Sequence, residues 1–230
     1  MGIKERQERD REAIRRSILD AARELFVTEG YQNVSIRKIA ERIEYSPAAI
    51  YSYFPSKDDI FFALAEEGFR QLSQGCAEEG KRYAKLPPLA RVRAGFWHLY
   101  EFSREHSEYF ALMFLDRSVP RISREYERFA FARAGKRRLV EDIQRCIDTN
   151  VFSPRVNAPA AFTLLTMGIV GVAAMRMSQR MTLTPDVDAV AGDMLDVILA
   201  GLQAGVTLHE QTVPCPVDEF DGKRSNAKAS

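Results

Sequence analysis

The sequence predicts an all-α protein: a small N-terminal three-helix domain followed by a larger helical domain. Three observations carry that expectation. Apolar residues recur at three-to-four spacing along most of the chain. No useful length alternates apolar and polar residues as a half-buried strand would. Glycine and proline fall at the boundaries of periodic runs more than inside them.

The first helix is expected from about Arg9 to Glu29, with Ile14, Ile18, Leu19, Ala22, Leu25 and Phe26 on one face and Gly30 as its stop. Ser35 is a good N-cap for a second, short helix burying Ile36, Ile39, Ala40 and Ile43. A break at Glu44 and Tyr45 leads to Ser46 and Pro47, an N-cap followed by proline at the first helical position. The third helix spans Pro47 to Tyr53, and Phe54 and Pro55 end it. Ser56 with Asp59 three residues on forms a capping-box pattern for a fourth helix, and Asp58 and Asp59 suit its positive end. That helix runs to about Tyr83, before Pro87 and Pro88. Further helices are expected near 89–105, 107–116, 121–149, 158–180 and 185–209, and residues 212–230 read as a disordered tail. The domain division is therefore 1–55, 56–211 and 212–230.

Composition narrows the function classes. Over 230 residues the net charge is only +1, which excludes a globally basic, histone-like binder but allows a local basic surface. Cys76, Cys146 and Cys215 are dispersed without zinc-ligand or CxxC spacing, so a reduced, cytoplasmic protein is the simplest reading. Met1 to Arg16 is charged throughout and carries no signal-peptide core. Its mixed charges read as a solvated helix face, from which some basic residues could reach phosphates as an arm. Ala158 to Met175 is uncharged and as long as a short bilayer span, but Pro159, Thr163, Thr166, Gly168 and Gly171 dilute it. It reads as a buried or interface helix, with no membrane partner. His98, His106 and His209 are too scattered for a metal site, no cofactor is implied, and no catalytic signature is present. The chain is expected not to be an enzyme.

Two short helices joined by a tight turn, with a third packed beneath, is the helix-turn-helix arrangement. In it the second helix of the pair sets its N-terminal residues at base edges in the major groove. Pro47 to Tyr53 is short, capped and small enough at Ala48 and Ala49 to approach closely, while Ile50 and Phe54 anchor it. Lys57, at the start of the next helix, combines a charge with exposed backbone N–H groups, a natural phosphate site.

The run from Ser35 to Phe61, with Ile39, Ala40, Ser46, Tyr51, Phe54 and Lys57 in register, resembles the DNA-binding signature of the TetR family of bacterial regulators. Ala21 to Tyr31 resembles that family's first helix, so the likeness covers roughly residues 13–62. The resemblance implies an all-α homodimer, with an N-terminal DNA-reading domain and a C-terminal domain for ligand binding and dimerisation. It implies a repressor of double-stranded DNA released by a small, mainly apolar effector. An activator or co-ligand-dependent regulator of the same fold, or a helical small-molecule-binding protein or enzyme, is the alternative. Residue by residue, it brings Ser35, Ile36, Arg37 and Lys38 near DNA, sets Ser46, Pro47, Ala48 and Ala49 at the groove, and gives Tyr51, Tyr53 and Lys57 phosphate contacts. Arg37 is the expected base reader, since arginine pairs well with guanine O6 and N7.

Three further expectations follow. Glu44 stands where the family usually has glycine, so a positive φ is expected there. The two last helices are expected to form a four-helix interface with their symmetry mates, with Gly168 and Gly171 allowing close approach. Val190, Met194, Val197, Ile198 and Gly201 would supply the stripe. Trp97, Tyr100, Tyr109, Phe110, Met113 and Phe114, with Phe162, Leu165, Met167 and Met175, are candidates for lining an effector cavity, although such a stripe is more often core.

Overall fold

The structure, a computed structural model, describes residues 2–83, 85–116, 129–179 and 186–206. Every regular element among them is helical: α1 (Ile3–Glu29), α2 (Ile36–Arg42), α3 (Pro47–Tyr51), α4 (Lys57–Tyr83), α5 (Pro88–Glu105), α6 (Ser107–Phe110), α7 (Ala130–Asp148), α8 (Ala158–Met177) and α9 (Val187–Ala204). A 3₁₀ turn, Tyr31–Asn33, joins α1 to α2, and a π turn, Ala111–Leu115, continues α6.

The helix boundaries follow the local chemistry. Gly30 takes φ +81° and its N–H returns to the Phe26 carbonyl at 3.0 Å, a stop that a β-carbon would strain. α1 begins at Ile3, about two turns before the apolar pattern predicts, because its first turns are a charged, solvated face with no apolar period to read. Gly205, left-handed at φ +88°, ends α9 at Ala204 instead of 209. The expected helix at 121–149 is present from Ala130; its first residues, like the expected tail at 212–230 and Cys215, lie outside the described residues.

Two apolar cores organise the molecule. The first joins α1, α2 and α3 through Ile18, Phe26, Ile39, Ile50 and Phe54 to the start of α4, with Ile60, Phe61 and Leu64, and on to Phe110 and Leu112. It runs straight across residue 55, so α4 belongs to both halves. The second packs α5, α7, α8 and α9 through Phe96, Tyr100, Ile143, Leu165, Ile169, Leu195 and Leu199. Burying each such side chain contributes roughly 1.5–3 kcal/mol before entropy is counted. Leu99 packs against both cores.

Polar contacts tie the halves together. Arg16 of α1 donates to Asp20 and to Glu67 of α4, both at 2.6 Å. Arg23 donates to Glu108 at 2.7 Å and to the Tyr109 hydroxyl at 2.9 Å, fixing α6 to α1.

α8 is long and apolar enough, by length and composition alone, to cross a membrane. Here it is a bundle helix, with Ala161, Leu165, Ile169 and Ala173 fully buried against its neighbours. One of its two interface-candidate glycines, Gly168, departs from expectation. A β-carbon at Gly168 would lie 2.5 Å from Met194 Sδ and 2.8 Å from Ile198 Cδ1 of the chain's own α9. Gly168, Met194 and Ile198 therefore serve α8–α9 packing within one chain. Gly171 faces open space, in a stripe with exposed Leu164, Met167 and Met175.

Candidate nucleic-acid interface

The two short helices are built by their caps. The Ser35 hydroxyl accepts from the Lys38 N–H at 3.2 Å, and the Ser46 hydroxyl accepts from the Ala49 N–H at 3.2 Å. Both satisfy amides that a helix start otherwise leaves unpaired. Pro47 at the first helical position needs no N–H there. Between the helices, Tyr45 donates to the Ala40 carbonyl at 2.9 Å, closing the turn around Glu44, which takes φ +59° as expected. At the far end, Ser56 and Asp59 cap α4 reciprocally: the Asp59 N–H donates to the Ser56 hydroxyl at 3.2 Å, and that hydroxyl donates to the Asp59 carboxylate at 2.6 Å.

Packing decides which side chains are left for a partner. Ile36, Ile39, Ala40, Ile50 and Phe54 all point into the first core. Ile36, expected near DNA, is thus a core residue whose side chain is not on offer. Ser46, Pro47 and Ala48 are exposed, Ala49 is half-buried, and Tyr51 keeps 53% of its surface. Tyr53 is half-buried, with the Arg11 guanidinium 5.5 Å from its ring centroid. Tyr45, in the turn itself, is 42% exposed. The sequence carries no signal for it, because a lone aromatic in a polar turn belongs to no periodic pattern.

The basic residues of α2 are held by carboxylates. Arg37, the most exposed at 81%, donates to Glu41 one turn on at 2.8 Å, and this bond raises its pKa. Lys38 pairs with Glu29, and Arg42 with Glu24. Lys57 turns inward: its ammonium donates to the Tyr31 and Val34 carbonyls at 2.8 and 2.9 Å. Desolvation lowers its pKa.

The aromatic residues expected to line one effector cavity do not share one space. Tyr109, Phe110, Met113 and Phe114 belong to the first core, beneath α1 and α4. Trp97, Tyr100, Phe162 and Leu165 belong to the second. Met167 and Met175 are exposed on α8. Several polar ends are already engaged: the Tyr100 hydroxyl donates to Asp188 at 2.8 Å and Trp97 Nε1 to Glu101 at 3.0 Å.

Comparison with known proteins bears on the segment just described. Residues 18–64 match the family model of bacterial regulatory proteins, tetR family. An HTH-type transcriptional repressor of Mycobacterium tuberculosis is 40% identical over 68 residues, which are 30% of this chain and 36% of the relative. The HTH-type transcriptional repressor AcnR of Corynebacterium diphtheriae is 35% identical over 83 residues, 36% of this chain and 44% of the relative. The chain thus spans less than half the length of these curated relatives. Among solved structures, FadR of Bacillus subtilis in complex with stearoyl-CoA superposes with a TM-score of 0.65 at 19% identity, covering 80% of this chain and 97% of that one. PfmR of Thermus thermophilus, a TetR-family transcriptional regulator, gives 0.63 at 20% identity, covering 84% and 96%. At these identities the likeness concerns the fold, which extends well beyond the helix-turn-helix.

Proposed function

Because residues 18–64 are a TetR-type helix-turn-helix segment, we propose that this protein is a homodimeric transcriptional repressor that binds double-stranded DNA in the cytoplasm and has no catalytic role. The single observation that carries the reading is α3: a Ser46-capped helix anchored by fully buried Ile50, with Ala48 and Tyr51 exposed beside it. Such a helix can enter the major groove without moving its supports. Pro47, Ala48 and Ala49 make the close approach, Arg37 reads guanine, and Tyr51, Tyr53, Ser35 and Lys38 take the backbone. Arg37 exchanges Glu41 for a base edge, a change of partner that its exposure makes easy. Lys57 reaches a phosphate only with the part of its ammonium that the two carbonyls leave over.

The functional division is residues 1–55 for reading and 56–211 for dimerisation and effector binding. Two copies associate through the exposed Leu164, Met167, Gly171 and Met175 stripe of α8 and through Val197, at 70% exposure, on α9. The heads then meet half-sites ~34–36 Å apart, one duplex turn. A small, mainly apolar effector in the larger domain favours another spacing and weakens binding by its differential affinity for the two states. The stearoyl-CoA complex of the Bacillus subtilis neighbour makes long-chain acyl compounds the first probes to try.

The test is selection of bound duplexes by the purified chain, followed by titration of the selected palindrome at several salt concentrations. The expected log K against log salt slope is steeply negative. A slope near zero, or no enrichment of a palindrome, overturns the reading.

A further inference from the structure

We propose that the first turns of α1, residues 3–12, extend the DNA-contact surface past the helix-turn-helix, with Lys4 and Arg11 taking backbone phosphates that flank the half-site. The inference rests on the DNA-binding reading above and deepens it. These turns lie before the segment that matches the family model, which begins at residue 18.

The first observation is placement. α1 runs unbroken from Ile3, and its opening turns form one wall of an open groove of about 590 Å³. The other wall is Ser52 and Tyr53, the residues that follow Tyr51 directly out of α3. Whatever lies along Tyr51 and Tyr53 therefore runs on beside α1.

The second observation is that this wall is fixed in place. The Arg11 guanidinium sits over the Tyr53 ring at 5.5 Å, and that of Arg15 over the Phe54 ring at 5.3 Å. Two cation–π contacts one turn apart hold the extension against the end of α3. The Gly2 N–H donates to the Glu5 carboxylate at 3.0 Å, which sets a negative charge at the helix start, so the contact surface is the row of side chains and not the helix terminus.

The third observation is charge. Lys4, Arg11 and Arg15 recur at i, i+7 and i+11, a spacing that lines one helix face, and Lys4 and Arg11 are exposed. At 1.5 Å per residue, Lys4 stands roughly 10 Å beyond Arg11, a length that passes about three phosphates of one strand at ~3.4 Å each. Glu8 and Asp10 line the same groove and oppose an anion there. Glu8, between Lys4 and Arg11, thereby becomes a reporter: its neutralisation should help binding if a phosphate strand passes it.

The experiment uses the full chain and the selected palindrome in two lengths. One duplex ends at the half-sites; the other adds about 6 base pairs on each side, ~20 Å of axis. The wild type should bind the flanked duplex more tightly. Each lost phosphate contact should remove about 3.5-fold of the affinity change between about 50 and 200 mM salt, so Lys4→Ala with Arg11→Ala should flatten that response by roughly tenfold on the flanked duplex only. Arg11→Lys should retain most of it, and Glu8→Gln should bind the flanked duplex more tightly than wild type. Equal affinities of the double variant and the wild type on both duplexes overturn the proposal. So does an equal loss on both, which would mean that Arg11 acts by supporting Tyr53. A wild type that binds neither duplex in a salt-dependent way removes the DNA-binding reading itself, an outcome distinct from the other two.

Discussion

The ammonium of Lys57 is hydrogen-bonded to the Tyr31 carbonyl at 2.8 Å and lies 4.1 Å from the centroid of the same residue's ring. With its second bond, to Val34, it closes the 3₁₀ turn after α1 onto the first turn of α4. Tyr31 is buried, and its hydroxyl donates to Asp58 next along the chain. Lys57→Met should therefore lower stability by ~1–2 kcal/mol, because two carbonyls lose a charged donor. Urea unfolding checks this. A variant with an unchanged midpoint and a salt slope reduced by ~1 would instead make Lys57 a phosphate contact alone.

Arg37 and Tyr51 should separate in binding assays. Arg37→Ala should lose about tenfold to a hundredfold at one base pair of the operator and little elsewhere, the mark of a base reader. Tyr51→Phe should weaken all duplexes about equally, since a phosphate contact carries no sequence information. A panel of single-base operator variants titrated with each protein decides the matter; uniform loss for Arg37→Ala would remove it from the reading set.

Glu44 holds φ +59° without glycine's freedom. A left-handed non-glycine residue costs ~1–2 kcal/mol, and the added chain entropy of glycine returns ~0.4–1 kcal/mol of that. Glu44→Gly should stabilise the fold by roughly 0.5–1 kcal/mol on that difference. It also removes a negative charge beside α3, so DNA affinity should rise, most clearly at low salt. Denaturant titration and binding at two ionic strengths measure the two effects separately.

Val197 leaves 70% of its surface to solvent in one chain, on a helix whose exposed side also carries Ala189, Asp193, Asp196, Ala200, Gln203 and Ala204. Val197→Asp should dissociate the dimer at micromolar concentration by sedimentation, since an unpaired carboxylate would be buried at the interface. It should leave the melting of the isolated subunit nearly unchanged. A dimer that survives would move the interface off this face of α9.

Alkaline pH should loosen the second core. Burial pushes the Cys146 thiol up to about 11, and burial with the Asp188 hydrogen bond pushes the Tyr100 hydroxyl up to about 12. Both are acids that stay protonated longer in the folded chain. Their stabilisation is complete below their ordinary values near 9 and 10 and is lost as pH rises towards 11 and 12. The urea midpoint should fall steadily above about pH 9, and less so in Cys146→Ala measured against its own value at pH 8. Thiol labelling at pH 8 with peptide mapping should find Cys146 unmodified until the protein unfolds.

The helix-turn-helix was legible because its determinants are local. Ser35, Ser46 and Pro47 act within a turn of themselves, and both serines cap the amides their spacing predicts. Glu44 was legible only through the family resemblance, which usually has glycine at that place in the turn; the backbone keeps the left-handed sign with glutamate there. Lys57 was not, because its partners Tyr31 and Val34 lie more than twenty residues earlier and offer only backbone carbonyls, which leave no trace in a sequence.

By itself the sequence determined the fold class, the order of the helices and the caps of the two short helices, since apolar period and capping chemistry depend on near neighbours alone. Tertiary structure decided how those faces are shared. It assigned Gly168, Met194 and Ile198 to packing within one chain, and split the aromatic residues of α5, α6 and α8 between two cores. It also laid α1 against the end of α3 through Arg11 and Tyr53. A helical period states that a face is apolar; which surface covers that face is fixed by the packing of distant segments, where close contact between filled volumes chooses the partner.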